Sequence, residues 1–385
     1  MMMRYGWSNL VMGNESQLIK NSMIVMITNT IPPYCYDIAY VLGLPANFSH
    51  RFRYHAKWMR LSCNVSDIKR QPALIVLRNE VTAGLTPVRY AQIEDVLPVG
   101  DINYIEFRLQ CYFPVARIDS ASTYLNNALE TKGFVNKQGA DLDCLVLEVD
   151  SGDLGDAGKE EKLNSHQMWS NLLGVIGQFN CYKDFSFLKV LHVRDSKGDN
   201  ASAVPDETGK YSFALKPSHV YYLDLIQHIP WEMDKTESIE TPYDVELKSE
   251  TAEVAILRKI QRVVGKYDLL RFIFKTAPGE STKHTFVEVE SKQGGELAKY
   301  GLPTLFLPLR IEAPQWMKAV VWIRRSLSVL AVVVIVVSNP LARWLGAEAE
   351  WVRDLALLLL VLSTGKWEEA MLAFLKETTK EARLA

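Results

Sequence analysis

The sequence predicts a mainly β protein with a C-terminal helical segment: a small β-barrel or sandwich, then an Ig-like antiparallel β-sandwich, then a hydrophobic helical hairpin. Three observations predict it. Short runs rich in β-branched and aromatic residues recur from Ser22 to about Arg117. A second series, from Asp184 to Ile311, is broken by turn residues at intervals of roughly ten, the cadence of a sandwich. Finally, Ser326 to Ala342 is a run of 17 residues without a charge.

The first series contains "SMIVMIT", "RFRYHAKWMRL", "ALIVLRN", "PVRYAQIEDVL" and "YIEFRLQCYFPV", separated by Pro, Gly, Asn or Asp. "SASTYLNNALETKG" then reads as a helix capped by Ser120 or Ser122, with Tyr124, Leu125, Ala128 and Leu129 on one face. "CLVLEV" reads as a buried strand. The acidic stretch after it, with Asp150, Asp153, Asp156, Glu160 and Glu161 among glycines, has carboxylates but no EF-hand spacing, so it is taken as a solvated linker and no metal is assigned. "SHQMWSNLLGVIGQF" is a second helix, with Met168, Trp169, Leu172, Leu173 and Ile176 facing the core. "RVVGKYDLLRF" marks a hairpin corner within the second strand series. The resulting division is residues 1–118 as a β-rich domain, 119–182 as connecting helices, strand and linker, 183–312 as the sandwich, and 313–385 as hairpin and amphipathic tail.

The uncharged run covers ~26 Å as a helix, a little less than the ~30 Å of a bilayer core. Five of the nine tryptophans, Trp316, Trp322, Trp344, Trp351 and Trp367, bracket this run and a second apolar run from Leu355 to Gly365. Arg324 and Arg325 precede the first run, while Val333, Ile335 and Leu358 lie inside the two runs. The positive-inside rule then puts both ends in the cytoplasm, on the inner face of a cell membrane. Five scattered cysteines without metal spacing, and no signal peptide, agree with that compartment.

The function expected from this layout is non-enzymatic. Two β-rich domains bind a partner or signal, and the hairpin engages the bilayer, as in a membrane-perturbing effector of a bacterial antiviral defence system. The expected partners are a lipid bilayer, a protein, and a second copy of the chain. Two alternatives stand beside it: a soluble two-domain binding module whose C-terminal segment is core, and a nucleic-acid-binding subunit. The latter rests on "HRFRYHAKWMR", where a strand places Arg51, Arg53, His55 and Lys57 on one face, with Lys69, Arg70, Arg78 and Arg89 nearby in sequence. A net charge of -2 gives that role no general support. No nucleophile elbow, HExxH pair, phosphate loop or dinucleotide turn occurs, so no catalytic residue and no cofactor are expected. Asp224 and His228 share a strand face two periods apart, too far for direct bonding, and His192 and Asp195 fall on opposite faces.

Overall fold

The computed structural model of the chain describes residues 22–29, 34–79, 84–132, 145–151, 154, 165–179, 182, 185–229, 238–265, 267–279, 281–292, 304–314, 322, 323 and 326. The chain forms two compact units: Met1–Pro278 with Lys283–Ile311, and Gly279–Thr282 with Glu312–Ala385. The architecture that follows is that of the first unit, which is mainly β with several sheets and few helices.

The N-terminal part is an open sheet of seven strands. In chain order they are β1 (Ser22–Asn29), β2 (Ser49–His55), β3 (Met59–Arg60), β4 (Pro72–Arg78), β5 (Leu85–Val99), β6 (Ile102–Tyr112) and β7 (Leu145–Asp150). Their spatial order is β2-β6-β5-β4-β1-β7-β3, with β2 and β3 at opposite ends and unpaired with each other among the described residues, so the expected barrel does not close. The reason lies in β1 and β4. Both are continuous apolar runs, with Met23 to Ile27 and Ala73 to Leu77 buried throughout, and they pair in parallel. Parallel neighbours buried on both faces need a crossover and cover on each side, which a small antiparallel barrel lacks. The crossover begins with α1 (Tyr34–Gly43), whose Cys35, Ile38, Val41 and Leu42 are fully buried.

The last carbonyls of α1 have no partner within the helix. They are met by side chains from the sheet. Arg89 of β5 donates to the Val41 and Leu44 carbonyls as well as to Gln110, and the Tyr112 hydroxyl donates to Leu42 at 2.7 Å. Arg89 is only 1% exposed and lies over the Tyr112 ring, so carbonyl dipoles, not a carboxylate, offset its charge. At the end of α1, a side chain on Gly43 would collide with the Leu188 carbonyl oxygen; glycine permits that approach.

The helix α2 (Ile118–Thr131) begins earlier than the serines imply. Its N-cap is Arg117, whose side chain makes no cap bond, while Ser120 Oγ donates back to Arg117 O and Ser122 Oγ to Leu85 O. Next comes α3 (Ser165–Ile176), which buries Met168, Trp169, Leu172, Leu173 and Ile176.

Two sandwich-like sheets follow. One has four antiparallel strands in the order β13-β15-β11-β8, formed by β8 (Phe187–Asp195), β11 (Val220–His228), β13 (Val254–Arg258) and β15 (Tyr267–Thr276). The other has six strands in the order β14-β12-β16-β17-β10-β9. These are β9 (Ala203–Pro205), β10 (Tyr211–Leu215), β12 (Ser238–Lys248), β14 (Ile260–Gly265), β16 (Lys283–Lys292) and β17 (Thr304–Ile311). Alternate residues point inward and join one apolar core: Leu223, Leu225, Phe272 and Phe274 from the first sheet, Val245, Leu247, Val287, Val289, Leu307 and Leu309 from the second. The corner at Gly265 carries the chain from one sheet to the other, not around a hairpin within one sheet.

The expected membrane role is overturned. Among the described residues no helix is long and apolar enough to cross a bilayer. The longest described helix, α2, has 14 residues and spans ~21 Å, against a hydrocarbon core of ~30 Å. No described element therefore provides the C-terminal helical hairpin or a transmembrane helix. Trp322 is described and is 74% exposed. Trp316, Arg324, Arg325, Val333, Ile335, Trp344, Trp351, Leu358 and Trp367 lie outside the described residues, as do Asp153, Asp156, Glu160 and Glu161.

Candidate functional site

An open, charged cleft of about 720 Å³ lies where β2, β5 and β6 meet the β9–β10 turn. Arg51 comes from β2; Gln92, Glu94 and Asp95 from β5; Glu106 and Arg108 from β6; Lys69 and Arg70 from the turn before β4; Thr208 and Lys210 from the β9–β10 turn.

Local backbone chemistry aims these groups. The β5–β6 register slips between Ile93 and Asp95, leaving Glu94 as an extra residue. A bulge of this kind re-aims its side chain; here Glu94 accepts from Ser49 Oγ at 2.6 Å and faces Arg108 at 3.6 Å. The β9–β10 turn is preformed by Asp206, whose carboxylate accepts from Thr208 N at 2.8 Å and Lys210 N at 3.0 Å, with Gly209 at φ +86°. It presents Lys210 to Glu106 at 2.9 Å, and Arg51 reaches the same carboxylate at 3.1 Å. Lys69 pairs with Asp95 at 2.9 Å, and that bond, ahead of burial, sets the Asp95 carboxyl below its ordinary range.

Five cations line the cleft against three carboxylates. Every carboxylate has a cation, and Glu106 has two; Arg70 has no carboxylate among the described residues. Arg70 is also at φ +68°, the left-handed region, a conformation that costs a non-glycine residue ~1–2 kcal/mol. Its backbone is held there by Arg70 N to Ile93 O at 2.8 Å and by Ile93 N to Gln71 O at 3.0 Å.

Of the four cations read from "HRFRYHAKWMR", the structure brings only Arg51 to the cleft. Strand β2 stops at His55, whose Nδ1 accepts from Lys57 N, so Lys57 falls on a short 3-10 turn with its ammonium 4.7 Å from the centre of the Trp58 ring. Arg53 lies 6.0 Å from the Tyr34 ring centre. Lys69 and Arg70 join the cleft, but Arg89 is buried under α1 and presents no charge to solvent.

A second constellation escapes sequence reading altogether. Asp224 is paired across the sheet with His192 on one side and Arg271 on the other. Its carboxylate, 1% exposed, meets His192 Nε2 at 2.7 Å, Arg271 Nε at 2.7 Å and Arg271 Nη2 at 3.2 Å, and also bonds Arg194. Burial opposes the Asp224 charge; the bonds from Arg271, Arg194 and His192 outweigh it and hold the carboxyl below its ordinary range. Only the strand register, which no single-sequence pattern reports, brings these residues together.

A third group sits under α3. Lys189 donates to the Ser165 carbonyl at 2.8 Å and lies 5.0 Å and 5.5 Å from the Tyr112 and Trp169 ring centres. Burial, and then the charge of Arg89, lower its ammonium to about 7. Among the described residues, no His, Cys, Asp and Glu side chains gather in a group that could hold a metal.

The sequence matches no protein-family description and no curated protein. Among solved structures it is similar to that of SSP-19, an MSP-domain protein like family member in Caenorhabditis elegans, at 11% identity, over 26% of this chain and 94% of that one, with a TM-score of 0.19. At that score the likeness carries no argument about fold or function.

Proposed function

We propose that the chain is a ligand-recognition protein whose cleft binds a compact polyanion, a small molecule bearing phosphate or several carboxylates. The observation that supports this reading is Arg70. A cation without a carboxylate partner among the described residues, held in a costly backbone conformation in a charged cleft, has the chemistry of a preorganised anion contact. The surplus of cations over carboxylates gives the cleft the matching sign, and its volume falls within the ~300–1,000 Å³ of small-ligand sites. The same reading takes the four- and six-stranded sheets as an Ig-like sandwich that carries one rim of the cleft on its β9–β10 turn.

The test is calorimetric titration of the full chain with inorganic pyrophosphate and with citrate. Binding of either is expected to weaken as salt rises. Arg70→Gly removes the guanidinium and relieves the backbone, so affinity should fall about tenfold while thermal stability holds or rises by up to ~1 kcal/mol. Unchanged affinity in Arg70→Gly, or no binding of either anion by the wild type, would refute the assignment.

A further inference from the structure

The outward face of the four-stranded sheet is partly exposed where the Asp224 constellation lies, through Arg194, His192 and Arg271. Cross-strand pairing puts Arg194, Tyr222, Asp224, Arg271 and Ile273 on this one face, with Lys275 in the next row and Arg258 opposite Ile273. Asp224 is the one carboxylate in these rows among the described residues, against four Lys and Arg side chains. Arg194 and Arg271 have no other carboxylate partner among the described residues, and about a third or more of each side chain reaches solvent (32% and 44%). The buried carboxylate thus holds two partly exposed guanidinium groups, and neither uses all of its N–H donors on Asp224. Two residues from Arg271 on the same face of β15, Leu269 is 59% exposed, and Leu257, the extra residue of the bulge on the edge strand β13 next to Arg258, is also 59% exposed.

We propose that this face docks an acidic, leucine-bearing peptide segment of a protein partner, its carboxylates on Arg194 and Arg271 and its apolar side chains on Leu257 and Leu269. Charge complementarity selects the acidic partner. The exposed leucines select a peptide over a phosphate polymer, because phosphates have nothing to gain from a leucine surface, whereas apolar side chains of a peptide gain by removing that surface from water while its carboxylates meet the arginines. The site is separate from the cleft and shares no residue with it.

Fluorescence anisotropy of the full chain with a labelled Glu/Leu/Gly peptide tests the proposal, alongside two control peptides with Gln for Glu or Ser for Leu. The Glu/Leu peptide should bind, and both controls should bind at least tenfold more weakly. Arg194→Glu with Arg271→Glu should abolish binding, and Leu257→Ser with Leu269→Ser should weaken it several-fold. Arg70→Gly, in the cleft, should leave it unchanged. If the double Glu variant fails to fold, the Arg194→Gln, Arg271→Gln pair, checked by circular dichroism, replaces it with an expected loss of about tenfold or more. No binding by the wild type would overturn the proposal. So would unaltered affinity in the arginine variants, or equal affinity for the Ser-for-Leu peptide, which would reduce the face to a simple anion contact.

Discussion

Replacing Lys189 by Met should abolish a pH dependence of stability between about pH 7 and 10. In the folded chain the ammonium is lowered to about 7, against an ordinary value of 10.5, because it is buried beneath Trp169 with Arg89 nearby. Below pH 7 the amine is charged in both folded and unfolded states, so the full cost of burying the charge is present and constant. Between 7 and 10.5 the folded amine is neutral while the unfolded one is charged, unfolding takes up a proton, and stability rises with pH. At about 1.4 kcal/mol per unit, the gap sets a ceiling of ~5 kcal/mol; relaxation around the site brings the expected span to about 2–4 kcal/mol. Lys189→Met fits the same apolar space and carries no charge. Urea unfolding of both proteins at pH 6, 8 and 10 should show the variant ahead at pH 6, with its lead vanishing by pH 10. Parallel stability–pH curves separated by a constant offset would refute the reasoning, since they would mean that Lys189 takes up no proton on unfolding in this range.

Two further perturbations test the frame around the sites. Arg89→Met leaves the Val41, Leu44 and Gln110 carbonyls without their donor, and should cost about 3 kcal/mol or more in denaturant midpoint analysis, with the methionine's apolar bulk failing to compensate. Asp224→Asn removes the charge facing two guanidiniums and should cost about 2 kcal/mol at neutral pH. Because the native carboxyl is held below its ordinary range, its contribution is present above about pH 4 and is lost as pH falls through the native value. Acid titration monitored by circular dichroism should therefore be shallower below pH 4 in the variant than in the wild type.

Strand alternation was the most legible part of the chain. β6 alternates buried and partly exposed residues along most of its length, as "YIEFRLQCYF" implies, because one face of an antiparallel strand meets the core and the other meets water. Which strands pair is another matter. Nothing in "SMIVMIT" or "ALIVLRN" distinguishes parallel neighbours in an open sheet from walls of a barrel; continuous apolarity hints only at burial on both faces. Arg89 read as one more surface cation because its neighbours alternate as in any strand. Register slips flank it on both the β4 and β6 sides, and its destination is the end of a helix 45 residues earlier in the chain. Arg70 was visible as a cation, but its left-handed backbone follows from bonds to Ile93 that only the tertiary structure supplies. The apolar C-terminal runs were legible as composition but lie outside the described residues, among which no helix is long and apolar enough to cross a bilayer.

The placement of β17 bears on how the chain is made. This strand fills the middle of the six-stranded sheet, between β16 and β10, and buries Leu305, Leu307, Leu309 and Ile311. Tyr40, near the other end of the sequence, donates its hydroxyl to Phe306 O at 2.8 Å. A nascent polypeptide leaving the ribosome therefore carries β10 and β16 with a vacant slot between them until Ile311 emerges. Two unfilled strand borders facing each other for that interval are open to capture by other chains. Slow translation over residues 293–311 should raise the demand for chaperones, and faster passage through that stretch should relieve it.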